Sequence, residues 1–273
     1  MPGGVSMSTT DEPTQVVRIR GTLAADSPAC EALATTPLPG TRPGRDRARA
    51  LKRGPSSVPP EVVAATQRDR LLDGLVHTVA SKGYASARVS DICHSAGVTR
   101  PAFYALFEGK ENAFLAAYRK GTGVLFHMVE DAYLDAPDWR PGIRAGLAVL
   151  LDVLASVPSF AAMAIVEIDA AGPAARQERD KFLGRFQRFF AAAPRPAGPV
   201  GSRQLAEAVI GGVYSMIYRH VAWENTAELP ELLPALTYFV LAPFLGPAGA
   251  ATELATPAPE RPSGTAPCAR RRS

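Results

Sequence analysis

Residues 89–110 read VSDICHSAGVTRPAFYALFEGK and carry the pattern that decides the fold. Four apolar residues in the first half recur at the spacing of one buried helical stripe, namely Val89, Ile92, Cys93 and Ala96. Gly97 is a natural helix end, and Thr99 is a favoured N-cap for a second helix that tolerates Pro101 in its first turn. The pattern predicts two short helices joined by a tight turn.

The second of these helices is predicted to have one buried and one open face. The buried residues are Phe103, Leu106 and Phe107. The residues on the open side are Arg100, Ala102 and Tyr104. A short helix with Thr, Arg and Tyr on its open side suits insertion into the major groove of DNA. The shape by itself fits two interpretations equally, a DNA-binding helix-turn-helix and a helical corner that only packs in a core.

A longer segment, residues 67–118, resembles the DNA-binding domain of the tetracycline-repressor (TetR) family of transcriptional regulators. The shared features are KGY after the first helix, DI and AGV-T around the turn, FY and F in the second short helix, and GKE at the start of a fourth helix. Many matches spread over one segment are more specific than the turn alone. The resemblance implies an all-α fold, with an N-terminal three-helix helix-turn-helix domain and a C-terminal helical domain for ligand binding and dimerisation.

The resemblance also implies which residues contact DNA. We expect Thr99 and Arg100 at base edges, since Arg can form two hydrogen bonds with guanine, and Ala102 beside them. We expect Tyr104, Lys110 and Arg88 at phosphates.

Two positions depart from the family pattern. Arg88 stands where the family usually has Thr or Ser, and an Arg side chain cannot cap a helix as a hydroxyl does. Leu106 stands where the family commonly has His, which removes one expected contact with the DNA backbone.

The charge is uneven along the chain. Residues 41–120 carry 14 Lys and Arg against 7 Asp and Glu, whereas residues 121–250 carry 10 against 13. Only the front part is therefore expected to meet a polyanion. The densest basic run, residues 41–54, is either a solvated charge run or an arm that contacts phosphates or the minor groove. The DNA contacts expected from this arm are Arg47, Arg49, Lys52 and Arg53.

The composition predicts four parts. Residues 1–55, including the basic arm, and residues 249–273 are rich in Pro, Gly, Ala, Ser, Thr and Arg, and we expect them to be disordered tails. Residues 56–118 form the DNA-binding domain, and residues 119–248 form the effector-binding and dimerisation domain. Apolar periodicity predicts helices at residues 60–82, 139–156, 158–170, 173–193, 202–223 and 229–245, in addition to those already described.

The fourth helix begins at Lys110 and contains Gly121 and Gly123. Each glycine costs about 1 kcal/mol relative to Ala inside a helix. Our hypothesis is that this weak point lets the helix swing when the C-terminal domain changes shape.

The last two predicted helices carry apolar residues on more than one face. In the resembled family these helices pair with those of a second subunit in a four-helix bundle. The alternative is a larger monomeric core. The residues expected at the dimer interface are Leu205, Val209, Gly212, Val213, Met216, Leu236, Phe239 and Val240.

A ligand pocket is expected among the fourth to eighth helices. Its predicted lining is Phe126, Phe160, Met163, Glu167, Tyr214 and Tyr218, chosen for bulk, softness or an isolated polar group. The alternative for each of these residues is that it packs in the hydrophobic core and contacts no ligand. Glu167 stands among apolar residues and needs a partner or a shifted protonation state, so it is a candidate site for a cationic effector. Pairing with a nearby Arg, such as Arg144 or Arg185, is an equal alternative.

The sequence does not indicate an enzyme. Its four histidines are scattered without the i, i+4 spacing of a metal pair, namely His77, His94, His127 and His220. Cys30, Cys93 and Cys268 show no disulfide framework or metal-ligand spacing, and we predict no cofactor. We found no apolar run of roughly 18 residues, so we expect a cytoplasmic protein without a membrane partner.

The predicted function is a DNA-binding transcriptional regulator that acts as a homodimer. We expect a repressor that is released from a palindromic operator on double-stranded DNA by a small-molecule effector of unknown identity. The alternative is a helical adaptor that binds a small molecule but not DNA.

Overall fold

The computed structural model describes residues 37–46, 49, 59–196 and 201–255. Within these residues the fold is all-α, as predicted, with nine α-helices and no β-strand. The helices are α1 (Pro60–Lys82), α2 (Val89–Ala96), α3 (Arg100–Leu106), α4 (Lys110–Leu134), α5 (Trp139–Ser156), α6 (Pro158–Ala161), α7 (Pro173–Arg185), α8 (Ser202–Ala222) and α9 (Leu233–Ala255). A π-helical turn at Ala162–Val166 and 3₁₀ turns at Phe186–Phe190 and Thr226–Leu232 lie between them.

The DNA-binding unit is built from α1, α2 and α3. The apolar stripe of α1 is fully buried, as its periodicity predicts, through Leu71, Leu72, Leu75, Val76 and Val79. Gly83 ends α1 with a positive φ of 74°, and its N–H donates to the Val79 carbonyl at 2.9 Å. The predicted bounds of α1, residues 60–82, are confirmed.

The C-terminal body packs α4 against α5, and aromatic rings fill its core. Phe126 stacks on Phe189 with ring centroids 5.5 Å apart, and the indole N–H of Trp139 donates to the Phe189 carbonyl at 2.8 Å. Trp139 also contacts Phe244 of α9 edge to face. These contacts join α4, α5, the 3₁₀ turn after α7 and α9 into one core.

Three predicted helices are less regular than expected. The helix predicted at residues 158–170 ends at Ala161 and widens into the π-helical turn, and the one at 173–193 tightens into 3₁₀ geometry after Arg185. In place of the helix predicted at 229–245, α9 starts at Leu233 after a 3₁₀ turn that contains Pro230. A break at Gly246 (φ 73°) precedes Pro247, and helical structure continues to Ala255, where a tail was predicted from residue 249.

Part of the predicted N-terminal tail is packed against the DNA-binding unit. We call residues 37–46 together with Arg49 the N-terminal strap. Leu38 is buried, and the Gly40 N–H donates to Oδ1 of Asp73 on α1 at 2.9 Å. Nη1 of Arg49 lies 2.7 Å from Oδ2 of Asp73 in an ion pair that is not aligned as a hydrogen bond. A buried carboxylate needs such partners, and no periodicity in the sequence could show that the strap supplies them.

No stretch of the sequence was expected to be apolar enough to cross a membrane, but the segment Thr226–Leu254 is long and apolar enough by length and composition alone. The core helix of a soluble protein can have the same length and composition. Only 28% of its most apolar window is buried in the chain. An apolar helix face of this kind needs a partner surface.

Candidate nucleic-acid interface and effector pocket

Helix α3 is capped and oriented as its sequence predicts. Oγ1 of Thr99 accepts the Ala102 N–H at 3.4 Å, which makes Thr99 the N-cap. Phe103 and Phe107 are buried, whereas Leu106 is only half-buried against the same core. The exposed side of the helix carries Thr99, Arg100 and Tyr104, with Ala102 half-exposed between them. This face contains each α3 residue that we expected to contact DNA.

The start of α2 is capped by an acid instead of a hydroxyl. The backbone N–H of Arg88, the N-cap residue, donates to Oδ2 of Asp91 at 3.1 Å. Nζ of Lys82 lies 3.1 Å from Oδ1 of the same carboxylate. The Arg88 N–H bond, followed by the Lys82 bond, lowers the pKa of Asp91. Arg88 therefore caps nothing itself, as expected, and its exposed side chain stays a predicted phosphate contact.

Lys110, the first residue of α4, is held within the DNA-binding unit. Its ammonium donates to the Tyr84 carbonyl at 2.7 Å and to the Ala87 carbonyl at 3.0 Å, and lies 4.2 Å from the centre of the Tyr84 ring. Burial lowers the pKa of Lys110. An ammonium has three donors, so one N–H remains for the phosphate contact that we predict. Lys110 also ties the start of α4 to the α1–α2 turn.

The strap brings further positive charge to the helix-turn-helix turn. Nε of Arg45 donates to the His94 carbonyl at 2.8 Å, and Nη2 of Arg70 donates to the Gly97 carbonyl at 3.3 Å. Burial, followed by the charges of Arg49 and Arg45, lowers the pKa of Arg70. Arg45 and Arg70 could not be predicted from the sequence, because only the folded strap places them together.

The predicted arm residues do not share one environment. Arg49 is paired with Asp73 on α1 and is thus an anchor of the strap in this structure. Arg47, Lys52 and Arg53 lie outside the described residues. Their DNA contacts stay predictions.

An apolar void lies in the C-terminal body. It opens to solvent and is bounded by α4, α5, α7, α8, α9, the π-helical turn and the 3₁₀ turn after α7. The lining is formed by aliphatic and aromatic side chains, among them Leu125, Leu147, Phe186, Phe189, Ile210 and Val213. Tyr214 lines it too, and its hydroxyl donates to the Ile165 carbonyl at 3.0 Å. Burial raises the pKa of Tyr214, so this phenol is a neutral donor at neutral pH.

Of the six predicted pocket residues, only Tyr214 lines this void. Phe126, Phe160 and Met163 are fully buried in the surrounding core, and Tyr218 is exposed on α8. Glu167 faces the DNA-binding unit instead, where its Oε2 accepts the Tyr84 N–H at 2.6 Å. The sequence could not separate the lining from the core, because both use the same apolar residue types.

The predicted dimer residues divide into two groups. Four are buried within the single chain and hold α8 and α9 to its own core, namely Val209, Val213, Leu236 and Val240. Leu205, Gly212 and Met216 are half-buried, and Phe239 is exposed. Four aromatic residues in or directly after these two helices are exposed, namely Tyr218, Trp223, Tyr238 and Phe239. We call these four residues the outer face of α8 and α9.

A helix-turn-helix with an exposed Arg and Tyr on its second helix, joined to a helical body with an apolar void, defines a helical DNA-binding regulator. Residues 71–117 match the family described as bacterial regulatory proteins, tetR family. This match spans the helix-turn-helix and its flanking helical residues, and it identifies residues 71–117 as a DNA-binding domain of the TetR type. No curated protein sequence matches the chain.

Solved structures show the same fold at low identity. The fatty acid degradation regulator FadR from Bacillus halodurans has a TM-score of 0.58 and 17% identity, over 70% of this chain and 97% of its own. FadR from Bacillus subtilis, in complex with stearoyl-CoA, has a TM-score of 0.56 and 16% identity, over 63% and 96%. The TetR-family regulator PfmR from Thermus thermophilus has a TM-score of 0.51 and 20% identity, over 64% and 95%.

Proposed function

We propose that this DNA-binding regulator is a homodimeric repressor that binds a palindromic operator and is released by an apolar effector. The observation that carries the proposal is the exposed face of α3, where Arg100 and Tyr104 follow a Thr99 N-cap. Two such helices, related by a two-fold axis, would enter successive major grooves about 34–36 Å apart. Such a protein acts where the chromosome lies, in the cytoplasm.

The outer face of α8 and α9 supports the dimer. Phe239 is 44% exposed and lies across Gly212, where a Cβ atom would be 2.6 Å from Cζ of its ring. Tyr218, Trp223 and Tyr238 are exposed as well, and a second copy of the chain would cover apolar side chains of this kind. A four-helix bundle made from two copies would also cover the apolar segment Thr226–Leu254.

Positive charge around the helix-turn-helix favours DNA binding over the adaptor alternative. Arg88 and Arg100 are exposed beside α2 and α3, and Arg45 is exposed at the turn between them. A protein that only carried a small molecule would have no use for cations placed around such a helix.

We expect selection from random duplexes to enrich an inverted repeat, and Arg100→Ala to relax the preference at one base in each half-site. The loss at that base should be about 1–3 kcal/mol, because a bidentate Arg contact is removed. Arg88→Ala is the control, since loss of a phosphate contact lowers affinity evenly over all sequences and reduces the salt slope by about 1.

Each other outcome of the selection excludes one part of the proposal. Unchanged selectivity in Arg100→Ala would remove the base-contact assignment. Enrichment of single half-sites would contradict the dimer. Failure to enrich any sequence would favour the adaptor alternative.

The void supports an effector with a long apolar chain, of the fatty-acyl class. Its lining is apolar apart from Tyr133 and Tyr214, whose hydroxyls already donate to the Phe189 and Ile165 carbonyls. FadR from Bacillus subtilis, which shares this fold, was solved with stearoyl-CoA. The cationic effector considered for Glu167 has no support, because that carboxylate does not face the void.

We expect the protein to bind the fluorescent fatty acid cis-parinaric acid, and palmitate or palmitoyl-CoA to displace it. Ile210 is half-buried and lines the void, so Ile210→Trp should fill part of the void and weaken binding about tenfold, or about 1.4 kcal/mol. Ile210→Leu conserves volume and should bind as the wild type does. Equal affinity in Ile210→Trp and wild type would place the ligand elsewhere.

A further inference from the structure

We infer that Glu167 is a positioning residue that transmits the state of the effector void to the DNA-binding unit. This inference rests on the proposed function. The residues that carry it form one series. Hydrogen bonds join Tyr214 to Ile165, Glu167 to Tyr84 and Tyr84 to Lys110, and the backbone of the chain joins Ile165 to Glu167. The series begins at the void and ends at the first residue of α4.

The first part of the series lies at the void. Tyr214 and Ile165 both line it, and the Tyr214 hydroxyl donates to the Ile165 carbonyl at 3.0 Å. Ile165 belongs to the π-helical turn Ala162–Val166, and the Glu167 N–H closes that turn by donating to the Ala162 carbonyl at 3.0 Å. A ligand that moves Tyr214 therefore pulls on the backbone two residues before Glu167.

The π-helical turn is a suitable place for such a movement. A π turn holds one more residue per turn than an α-helix and is a local, costly insertion. A shift of this turn into α-helical register would rotate Glu167 about the helix axis by roughly 100°, one residue's share of a 3.6-residue turn. The carboxylate would then leave its present partner.

The second part of the series crosses to the DNA-binding unit. Oε2 of Glu167 accepts the backbone N–H of Tyr84 at 2.6 Å, and both carboxylate oxygens lie beside Gly83. Without Glu167, this amide at the end of α1 would lose its charged acceptor. The contact fixes the α1–α2 turn against the C-terminal body.

The last part of the series reaches the residues expected at phosphates. The Tyr84 carbonyl and the Ala87 carbonyl both accept from the Lys110 ammonium, at 2.7 and 3.0 Å. Ala87 directly precedes Arg88, the N-cap of α2. A displaced Tyr84 would therefore move Lys110 and Arg88 together and change the fit of the DNA-binding face.

A double-mutant cycle tests this inference without any effector. Tyr214→Phe removes only the hydroxyl at the void, and Glu167→Ala removes only the acceptor at Tyr84. The readout is the hydrogen–deuterium exchange rate of the Tyr84 amide in the intact chain, together with affinity for the duplex that selection enriches. We expect each single variant to speed the exchange by about fivefold or more, and the double variant to be no faster than Glu167→Ala alone.

Glu167→Gln is the matched control, since an amide oxygen still accepts the Tyr84 N–H, and it should stay near the wild-type exchange rate. A Tyr84 amide that exchanges equally in Tyr214→Phe and wild type would overturn the inference, as would additive effects in the double variant. The exchange readout needs neither DNA nor ligand, so a failure of the proposed function leaves this test intact.

With palmitoyl-CoA as the probe, Glu167→Ala should still bind ligand as the wild type does, because Glu167 does not line the void. Its affinity for the selected duplex should no longer fall when the probe is added. A wild-type response in Glu167→Ala would also overturn the inference. A wild-type chain that binds neither probe nor duplex would instead count against the proposed function.

Discussion

Asp73→Asn should lower the free energy of unfolding by about 3 kcal/mol, the lower part of the range measured when one partner of a buried ion pair is removed. Asp73 is 1% exposed on α1, where it accepts the Gly40 N–H and faces Arg42 and Arg49. Asn can keep one acceptor but not the charge, so Arg42 loses this counter-ion and Arg49 is left with Asp46 at 3.5 Å. Urea denaturation monitored by circular dichroism measures the change.

Asp69→Asn is the matched control, because Asp69 lies one turn earlier on the same helix. Its side chain is 40% exposed and pairs with Lys120 at 2.7 Å. An ion pair this accessible is worth about 0–1 kcal/mol. Equal midpoints for the two variants would show that Asp73 does not anchor the strap. Faster proteolytic cleavage of the strap in Asp73→Asn alone would support the assignment.

Gly121→Ala should destabilise the protein, whereas Gly123→Ala should not. A Cβ atom at position 121 would overlap Cε2 of Phe160 and lie 2.7 Å from its Cζ, and the Phe160 ring is fully buried. Overpacking of this kind costs about 1–3 kcal/mol. At position 123 nothing lies within 4 Å of the added atom, so the substitution should stabilise α4 by up to about 1 kcal/mol.

Urea denaturation of the two single variants measures this difference. Gly121→Ala with Phe160→Leu should recover part of the loss, because the smaller side chain leaves room for the added methyl group. Equal stability of the two single variants would show that Phe160 is free to move. The hypothesis that α4 swings at this point is then tested by Gly123→Ala, since this variant stiffens the helix without touching Phe160. If Gly123→Ala responded to the effector as the wild type does, the hypothesis that α4 swings at this point would be wrong.

The two glycines show how far the sequence could go. Periodicity identifies α4 and marks both residues as weak points, because helix propensity depends on local backbone and side-chain entropy. Only the packed structure distinguishes them, since Phe160 lies 39 positions away from Gly121 along the chain. One glycine permits close contact between α4 and α6, and the other is open.

Glu167 shows the same limit at the candidate site. Its position among apolar residues correctly indicated that the carboxylate needed a partner. The partners considered were an effector and nearby arginines. The observed partner is a backbone amide at Tyr84, and backbone groups leave no mark in a side-chain pattern. The residues that line the void could not be predicted from the sequence either, because the lining and the core use the same residue types.

The sequence by itself determined the all-α class, the bounds of α1, the Thr99 N-cap, the exposed face of α3 and the likeness of the DNA-binding segment to the TetR family. Those features depend on local periodicity, capping and a spaced motif, each contained within a few turns of chain. The tertiary structure decided that the strap packs on Asp73, which residues line the void, and that Glu167 contacts the DNA-binding unit. Each of these depends on contacts between residues far apart in the chain, where burial and the need to pair buried polar groups select the partner.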